Sequence, residues 1–353
     1  MSTSKSPHLS HSSHPSRPAR APHKAQASAT THESAKIHTS ATHHASGTTH
    51  ASATTYTLVT EPDQGLTAIY NLISSAKKSI DMTMYELTDI TVTDALAKAA
   101  AAGIKVRVIL DQSSSEKQVN TPAYNYLQEN KCAVHWSNPA YTFTHQKTIT
   151  VDQATSAIMT LNLTPEYYAT SRDFAVITNN AADVAAIETT FNADFTNAKI
   201  TPPRGENLVW SPTNSLSSLL ALINGATKSL LLAQQEFEES QLASALESAL
   251  KRGVAVTLVQ ENLDNAYNST LTALKSAGAK IAVYTSSTGY YIHAKTVLAD
   301  YGAAQAKIFV GSENFTTNSL QDNRELGLIF SDTACMDGVN TALTADFKNG
   351  TAF

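Results

Sequence analysis

One stretch of this chain is written twice, about 150 residues apart. Ala76-Lys77-Lys78-Ser79-Ile80-Asp81-Met82-Thr83-Met84-Tyr85-Glu86 aligns without a gap on Ala226-Thr227-Lys228-Ser229-Leu230-Leu231-Leu232-Ala233-Gln234-Gln235-Glu236, and the register continues through residues 96–110 against 246–260. A unit this long in only two copies is no solenoid repeat, which is shorter and stacks at least three times. It predicts two like halves packed as a pseudo-twofold pair, with any repeated site brought to the joint.

Each half reads helix, strand, helix, glycine turn, strand. Leu66, Ile69, Leu72 and Ile73 recur at helical spacing, as do Leu216, Leu219, Leu220 and Ile223. Gly103 and Gly253 stand where a helix stops, and residues 104–110 and 254–259 are rich in the branched aliphatics of sheet strands. The expected fold class is α/β: two pseudo-twofold-related α/β/α sandwich halves, each with a mixed β-sheet. A hinge, Thr201-Pro202-Pro203-Arg204-Gly205, separates a first half at 56–200 from a second at 201–353.

Residues 1–55 stand apart from both halves. They are Ser, Thr, Ala, His and Pro in irregular order, too poor in apolar side chains to offset chain entropy, and are expected to be disordered. Their histidines have no spacing that defines a metal site. The segment holds five Lys/Arg and one acid, so the net charge of −5 for the whole chain becomes −9 over 56–353. An acidic body argues against tight unspecific binding of nucleic acid. No signal peptide is recognisable and no apolar run reaches membrane-spanning length, so a soluble chain is expected, with its compartment open between cytoplasm and export. Two distant cysteines, Cys132 and Cys335, suit buried thiols.

The chemistry sits in a second repeated string, His-x-Lys-x-x-x-x-Asp, at His145, Lys147 and Asp152 and again at His293, Lys295 and Asp300. One such match arises by chance in roughly a few per cent of chains this long. Two are far rarer, and nine of the twelve histidines lie in the tail, leaving only His135 besides the motif pair. Strands are expected over 142–151 and 290–298, which would put Phe143, His145 and Lys147 on one face, and Tyr291, His293 and Lys295 on another. An imidazole and an ammonium so placed suit a phosphoryl group. With two such units facing each other, one histidine attacks phosphorus while the other protonates the leaving alkoxide, and neither a metal nor another cofactor is required.

Asn162 and Asn314 follow the motifs, each preceded by a hydroxyl residue, Thr160 or Ser312. Asp173 and Glu325 each lie eleven positions beyond the asparagine. The asparagines can donate to phosphate oxygens, and the carboxylates can accept from histidine Nδ1 and so present Nε2.

With its two HKD motifs and a trailing Gly-Ser-x-Asn at residues 311–314, the chain resembles the phospholipase D superfamily over about 57–335. The resemblance implies one active site shared at the interface, lined by both histidines, lysines and asparagines. It makes His145 the nucleophile that becomes a phosphohistidine and His293 the general acid, with Asp173 and Glu325 orienting them. Asp152 and Asp300 belong to the motif and are counted with it among the catalytic residues, with capping of the strand exit as the structural alternative. The first half departs from the family pattern, with Met159 where the glycine is expected.

The resemblance implies a metal-independent phosphodiesterase or phosphatidyltransferase that hydrolyses or exchanges a phospholipid head group at a membrane surface, with water or an alcohol as acceptor. The alternatives are an endonuclease of the same superfamily, disfavoured by the acidic body, and a non-catalytic phosphate-binding module, disfavoured by two intact motifs.

Overall fold

Gly103 and Gly253 both take φ +87°, a left-handed backbone that a residue with a Cβ adopts only at a cost of about 1 kcal/mol. Each closes its helix with the same bonds. The Gly103 and Ile104 amides donate to Ala100 O and Ala99 O, and the Gly253 and Val254 amides donate to Leu250 O and Ala249 O. The helices they end, Ile90–Ala101 and Ser240–Lys251, each deliver the chain into a parallel strand.

The computed structural model describes residues 53–353, so the expected disorder over 1–55 lies, but for its last three residues, outside the described residues. The first half runs β1 (Tyr56–Glu61), α1 (Thr67–Ser74), β2 (Ser79–Met84), α2 (Ile90–Ala101), β3 (Lys105–Leu110), α3 (Ser114–Glu129), β4 (Ala133–Trp136), β5 (Thr148–Val151), β6 (Thr155–Met159), β7 (Ser171–Thr178) and α4 (Ala181–Phe195). The second runs β8 (Leu208–Ser211), α5 (Ser215–Gly225), β9 (Ser229–Gln234), α6 (Ser240–Lys251), β10 (Ala255–Glu261), α7 (Asn268–Ser276), β11 (Lys280–Tyr284), β12 (Tyr291–Ile292), β13 (Thr296–Ala299), β14 (Lys307–Gly311), α8 (Thr317–Gln321), β15 (Glu325–Phe330), α9 (Thr333–Asn349) and β16 (Thr351–Ala352). The two mixed sheets have the orders β1-β7-β6-β5-β2-β3-β4 and β16-β11-β10-β9-β13-β14-β15-β8, and β12 joins the first sheet through β7.

Three apolar layers hold these sheets. Leu72, Ile80, Val108 and Met159 belong to an outer core of the first half, and Leu219, Leu232, Leu258 and Phe309 to the matching core of the second. Between the sheets, Phe174 and Val176 meet Trp210, Ile308 and Leu326, together with Ile187 of α4 and Val339 of α9. Cys132 and Cys335 are buried free thiols. Among the described residues no helix is long and apolar enough to cross a membrane.

The strands expected over 142–151 and 290–298 are shorter than expected. Residues 142–146 and 293–294 leave their own sheet, because their backbone is paired with the opposite half. The Thr142 and Gln146 amides donate to Asp322 O and Arg324 O, and the Arg324 amide donates back to Phe143 O. Reciprocally, the Tyr291 amide donates to Thr170 O, and both His293 and Ala294 donate to Arg172 O. Arg172 and Arg324, thus gripped by their backbones, are also gripped by their side chains. Arg172 pairs with Asp346 of α9 at 2.6 Å and Arg324 with Asp194 of α4 at 2.9 Å, each across the joint.

Candidate active site

The crossing of the two motif segments determines where their side chains arrive. Lys147 and Lys295 are fully buried, and each curls back to donate from Nζ to the carbonyl of its own motif histidine, His145 O at 2.6 Å and His293 O at 2.5 Å. Burial, with the other lysine close by, lowers Lys147 to about 7, and burial lowers Lys295 to about 8. Two lysine side chains kept out of water and only partly neutralised can hold an anion, whose arrival would favour their charged forms.

Each histidine is fixed by the carboxylate of the other half. His145 Nδ1 lies 2.8 Å from Glu325 Oε2, and His293 Nδ1 lies 2.9 Å from Asp173 Oδ1. Glu325 Oε1 accepts from Ser319 Oγ at 2.5 Å and Asn323 Nδ2 at 2.9 Å, whereas Asp173 Oδ1 accepts from Thr160 Oγ1 at 2.5 Å as well as facing His293. Burial lowers both histidines to about 4 against the pull of their carboxylates, so they are neutral at pH 7. Burial also works against ionisation of Asp173 and Glu325, but their histidine partners, the nearby lysines and the hydroxyl donors outweigh it and hold both below the usual carboxylate range. An ionised acceptor at Nδ1 puts the proton there and leaves Nε2 with its lone pair.

Asp152 and Asp300, counted from the motif among the catalytic residues, are not brought to this centre. Asp152 accepts from the backbone amides of Lys77, Lys78 and Ser79, and Asp300 from those of Thr227, Lys228 and Ser229. Both take positive φ at the far end of the strand, roughly 16 Å from the motif lysine at about 3.3 Å per residue. They clamp the entrance of β2 and β9. For Asp300, burial opposes ionisation but the three amides outweigh it and depress the pKa, so the stabilisation is present above the usual carboxylate range and is lost as pH falls through the depressed value. Asp300→Ala is expected to destabilise the fold by about 2–4 kcal/mol while the folded fraction keeps its turnover; thermal melts paired with rates per folded molecule check this.

Thr160 and Ser312, which precede the asparagines as candidates to bind phosphate or support its site, have their hydroxyls engaged by the protein. Both are fully buried. The amides of Phe174 and Leu326 donate to their hydroxyls at 2.9 and 3.2 Å, so they brace the strand beside each carboxylate. Asn162 and Asn314 reach the site: their Nδ2 atoms donate to Glu86 Oε2 at 3.1 Å and Gln235 Oε1 at 3.5 Å, and their buried Oδ1 atoms have no protein partner. Met159, which replaces the expected glycine, is fully buried in the outer core of the first half.

Several residues of the site were not anticipated. Tyr85 stands edge-on to His145 at 4.6 Å and under Lys147 Nζ at 4.8 Å. Burial and then Glu116 raise the half-buried Glu86 to about 7. Glu86 and Glu236 end the ungapped repeated block, a signal that marks them as a pair. Asp194 and Asp346 carry a signal too, since Ala-Asp-Phe-x-Asn occurs at both 193–197 and 345–349.

Residues 69–195 and 219–349 match the family model described as cardiolipin synthase, PLD-like domain. A mitochondrial cardiolipin hydrolase of Mus musculus is 34% identical over 121 residues, covering 34% of this chain and 52% of that protein, so the chain spans about half the length of this curated relative. Among solved structures, the phosphatidylserine synthase of Haemophilus influenzae Rd KW20 superposes with a TM-score of 0.64 at 13% identity, over 84% of this chain and 87% of the other. The polyphosphate kinase of Porphyromonas gingivalis superposes with a TM-score of 0.68 at 16% identity, over 83% of this chain and 47% of the other. At such identities these two likenesses speak for the fold alone.

Proposed function

We propose that this chain, which belongs to the phospholipase D superfamily, cleaves or exchanges the head-group phosphodiester of a phospholipid through a phosphohistidine. The reading rests above all on the reciprocal pairs, His145 with Glu325 and His293 with Asp173. In the first step His145 Nε2 attacks phosphorus, the bond to the head-group oxygen breaks, and protonated His293 gives its Nε2 proton to that oxygen. In the second, water or an alcohol loses its proton to His293 and attacks phosphorus, the N–P bond breaks, and phosphatidate or a new phosphodiester leaves. Lys147, Lys295, Asn162 and Asn314 hold the phosphoryl oxygens, and Asp173 and Glu325 orient the histidines. The halves 56–200 and 201–353 are then two parts of one enzyme.

His293 must carry a proton in the first step although burial keeps it neutral in the empty site. The arriving phosphate anion raises its pKa and draws that proton in. The expected profile of kcat/KM is a bell whose alkaline limb falls as Lys147 and then Lys295 lose charge near pH 7 and 8.

Two observations favour lipid over nucleic acid. The body carries −9, and Glu86 and Glu116 press against the site, an unfavourable lining for a polyanion. The name of the Mus musculus relative, a cardiolipin hydrolase, agrees with this. The test is turnover by the full chain of phosphatidylcholine vesicles, with and without ethanol, and of single- and double-stranded DNA, all in EDTA with His145→Ala as control. Choline release that needs His145 and survives EDTA is expected, with phosphatidylethanol reporting transfer; cleavage of DNA alone would move the reading to a nuclease.

A further inference from the structure

Across the second sheet one transverse row of positions runs Gln260, Gln234, Lys295, Gly311, Gly327. Gln260 pairs with Gln234 and Gly311 with Gly327; Lys295 precedes Thr296, the partner of Ala233, and its carbonyl accepts from the Gly311 amide at 3.3 Å. Leu258, Leu232, Val297 and Phe309 all belong to the outer core, so the residues two positions from each, Gln260, Gln234, Lys295 and Gly311, face the same side. Glu313 lies over this row. A Cβ on Gly311 would come within 2.3 Å of Glu313 Oε2, and one on Gly327 within 2.8 Å. The two glycines thus form a notch beside Lys295 that the Glu313 carboxyl fills.

The first half has the same row in apolar form: Leu110, Met84, Lys147, Met159, Ala175, with Leu161 at the place of Glu313. Met159 fills with its own side chain the space that Gly311 leaves to Glu313. Gln234, Gln260 and Glu313 are all fully buried; both Gln234 side-chain polar atoms and Gln260 Oε1 have no protein hydrogen-bond partner, and the Glu313 carboxyl has at most the adjacent backbone amides of Ser312 and Glu313, at no well-formed hydrogen-bond geometry. Unpaired polar groups in such a place cost stability. Lys295, next to Gln234 and Gly311 in the row, is the charge they lie beside, and Glu313 favours its ionised form.

We propose that Glu313, supported by Gln234 and Gln260, is a positioning residue that keeps Lys295 as the standing ammonium of the site, so that the two motif lysines are unequal. Burial and the nearby Glu325 hold the Glu313 carboxyl well above the usual carboxylate range, and its ionised form favours the ammonium of Lys295. The row around Lys147 carries Met84 and Met159, with Leu161 at the place of Glu313, so that Glu313 reaches Lys147 only from the other half. Lys295 is also faced by Asp173, Glu236, Glu325 and Lys147, and Glu313 by Glu325 and Lys147. These groups stay in place when Glu313 alone is changed. For its catalytic consequence the inference rests on the phosphodiester reading, but its test does not.

The experiment is a pH titration of the full chain labelled with 13C at lysine Cε, with Lys147→Met and Lys295→Met assigning the two signals. Lys295 is expected to titrate above Lys147. Glu313→Leu, which installs the first-half residue, should lower the Lys295 midpoint by about one pH unit and the Lys147 midpoint by less. Glu313→Gln should give a smaller shift and serves if the leucine variant fails to fold. The alkaline limb of kcat/KM should move down with Lys295. An unmoved Lys295 midpoint in a folded Glu313 variant overturns the proposal. A shifted midpoint in a protein that turns over no phosphodiester leaves it standing and sinks the phosphodiester reading instead.

Discussion

His145→Ala is expected to lower kcat at least about 10⁴-fold on every phosphodiester, because without the nucleophile no P–N bond forms and no second group takes over its geometry. His293→Ala is expected to be as severe on an alkyl ester, whose alkoxide cannot leave without a proton, but much milder in the first step on a p-nitrophenyl ester, whose phenolate leaves unaided. In that variant the second step lacks its base, so nitrophenolate should appear as a burst of about one equivalent followed by near silence. Stopped-flow absorbance reads this directly. Equal losses on both esters in His293→Ala would contradict its assignment as acid and base.

Glu325→Gln is expected to cost about 10³–10⁴-fold in kcat, whereas Asp173→Asn costs about 10–10²-fold. The difference arises from where the other donors sit. Ser319 and Asn323 both donate to Glu325 Oε1, the oxygen that does not face His145. In the amide the carbonyl must take that place, which turns the NH₂ toward His145 Nδ1, forces the proton onto Nε2 and removes the attacking lone pair. At Asp173, Thr160 and His293 address the same atom, Oδ1. An asparagine carbonyl satisfies both there and preserves the tautomer. Steady-state rates of the two variants, with circular dichroism to establish folding, test the contrast; equal losses would mean that tautomer control is not what the carboxylates supply.

Much of this was legible in the residues because it is local and written twice. The aligned glycines end two helices in the same left-handed turn, and the spacing from asparagine to carboxylate brings Asp173 and Glu325 to the centre. What stayed hidden is what depends on the partner half. Residues 142–146 alternate well enough for a strand, yet their backbone pairs with residues 322–324, and no periodicity within one half announces a partner in the other. Nor does spacing tell that Glu325 serves His145 rather than His293. Asp152 and Asp300 mislead for the opposite reason: they belong to the motif in sequence, but the strand that comes after the lysine carries them to the other end of the sheet. Glu313 is hidden because only the fold shows the glycine notch it fills.

In the proposed reaction both motif histidines serve one phosphate, with His145 making the covalent bond. The most direct measurement is mass spectrometry of peptides from His293→Ala quenched during the nitrophenyl burst. A phosphoryl adduct is expected on the peptide carrying His145 and is expected to be absent from the His145→Ala, His293→Ala double variant. An adduct on any other residue, or a completed burst with no adduct at all, would contradict it.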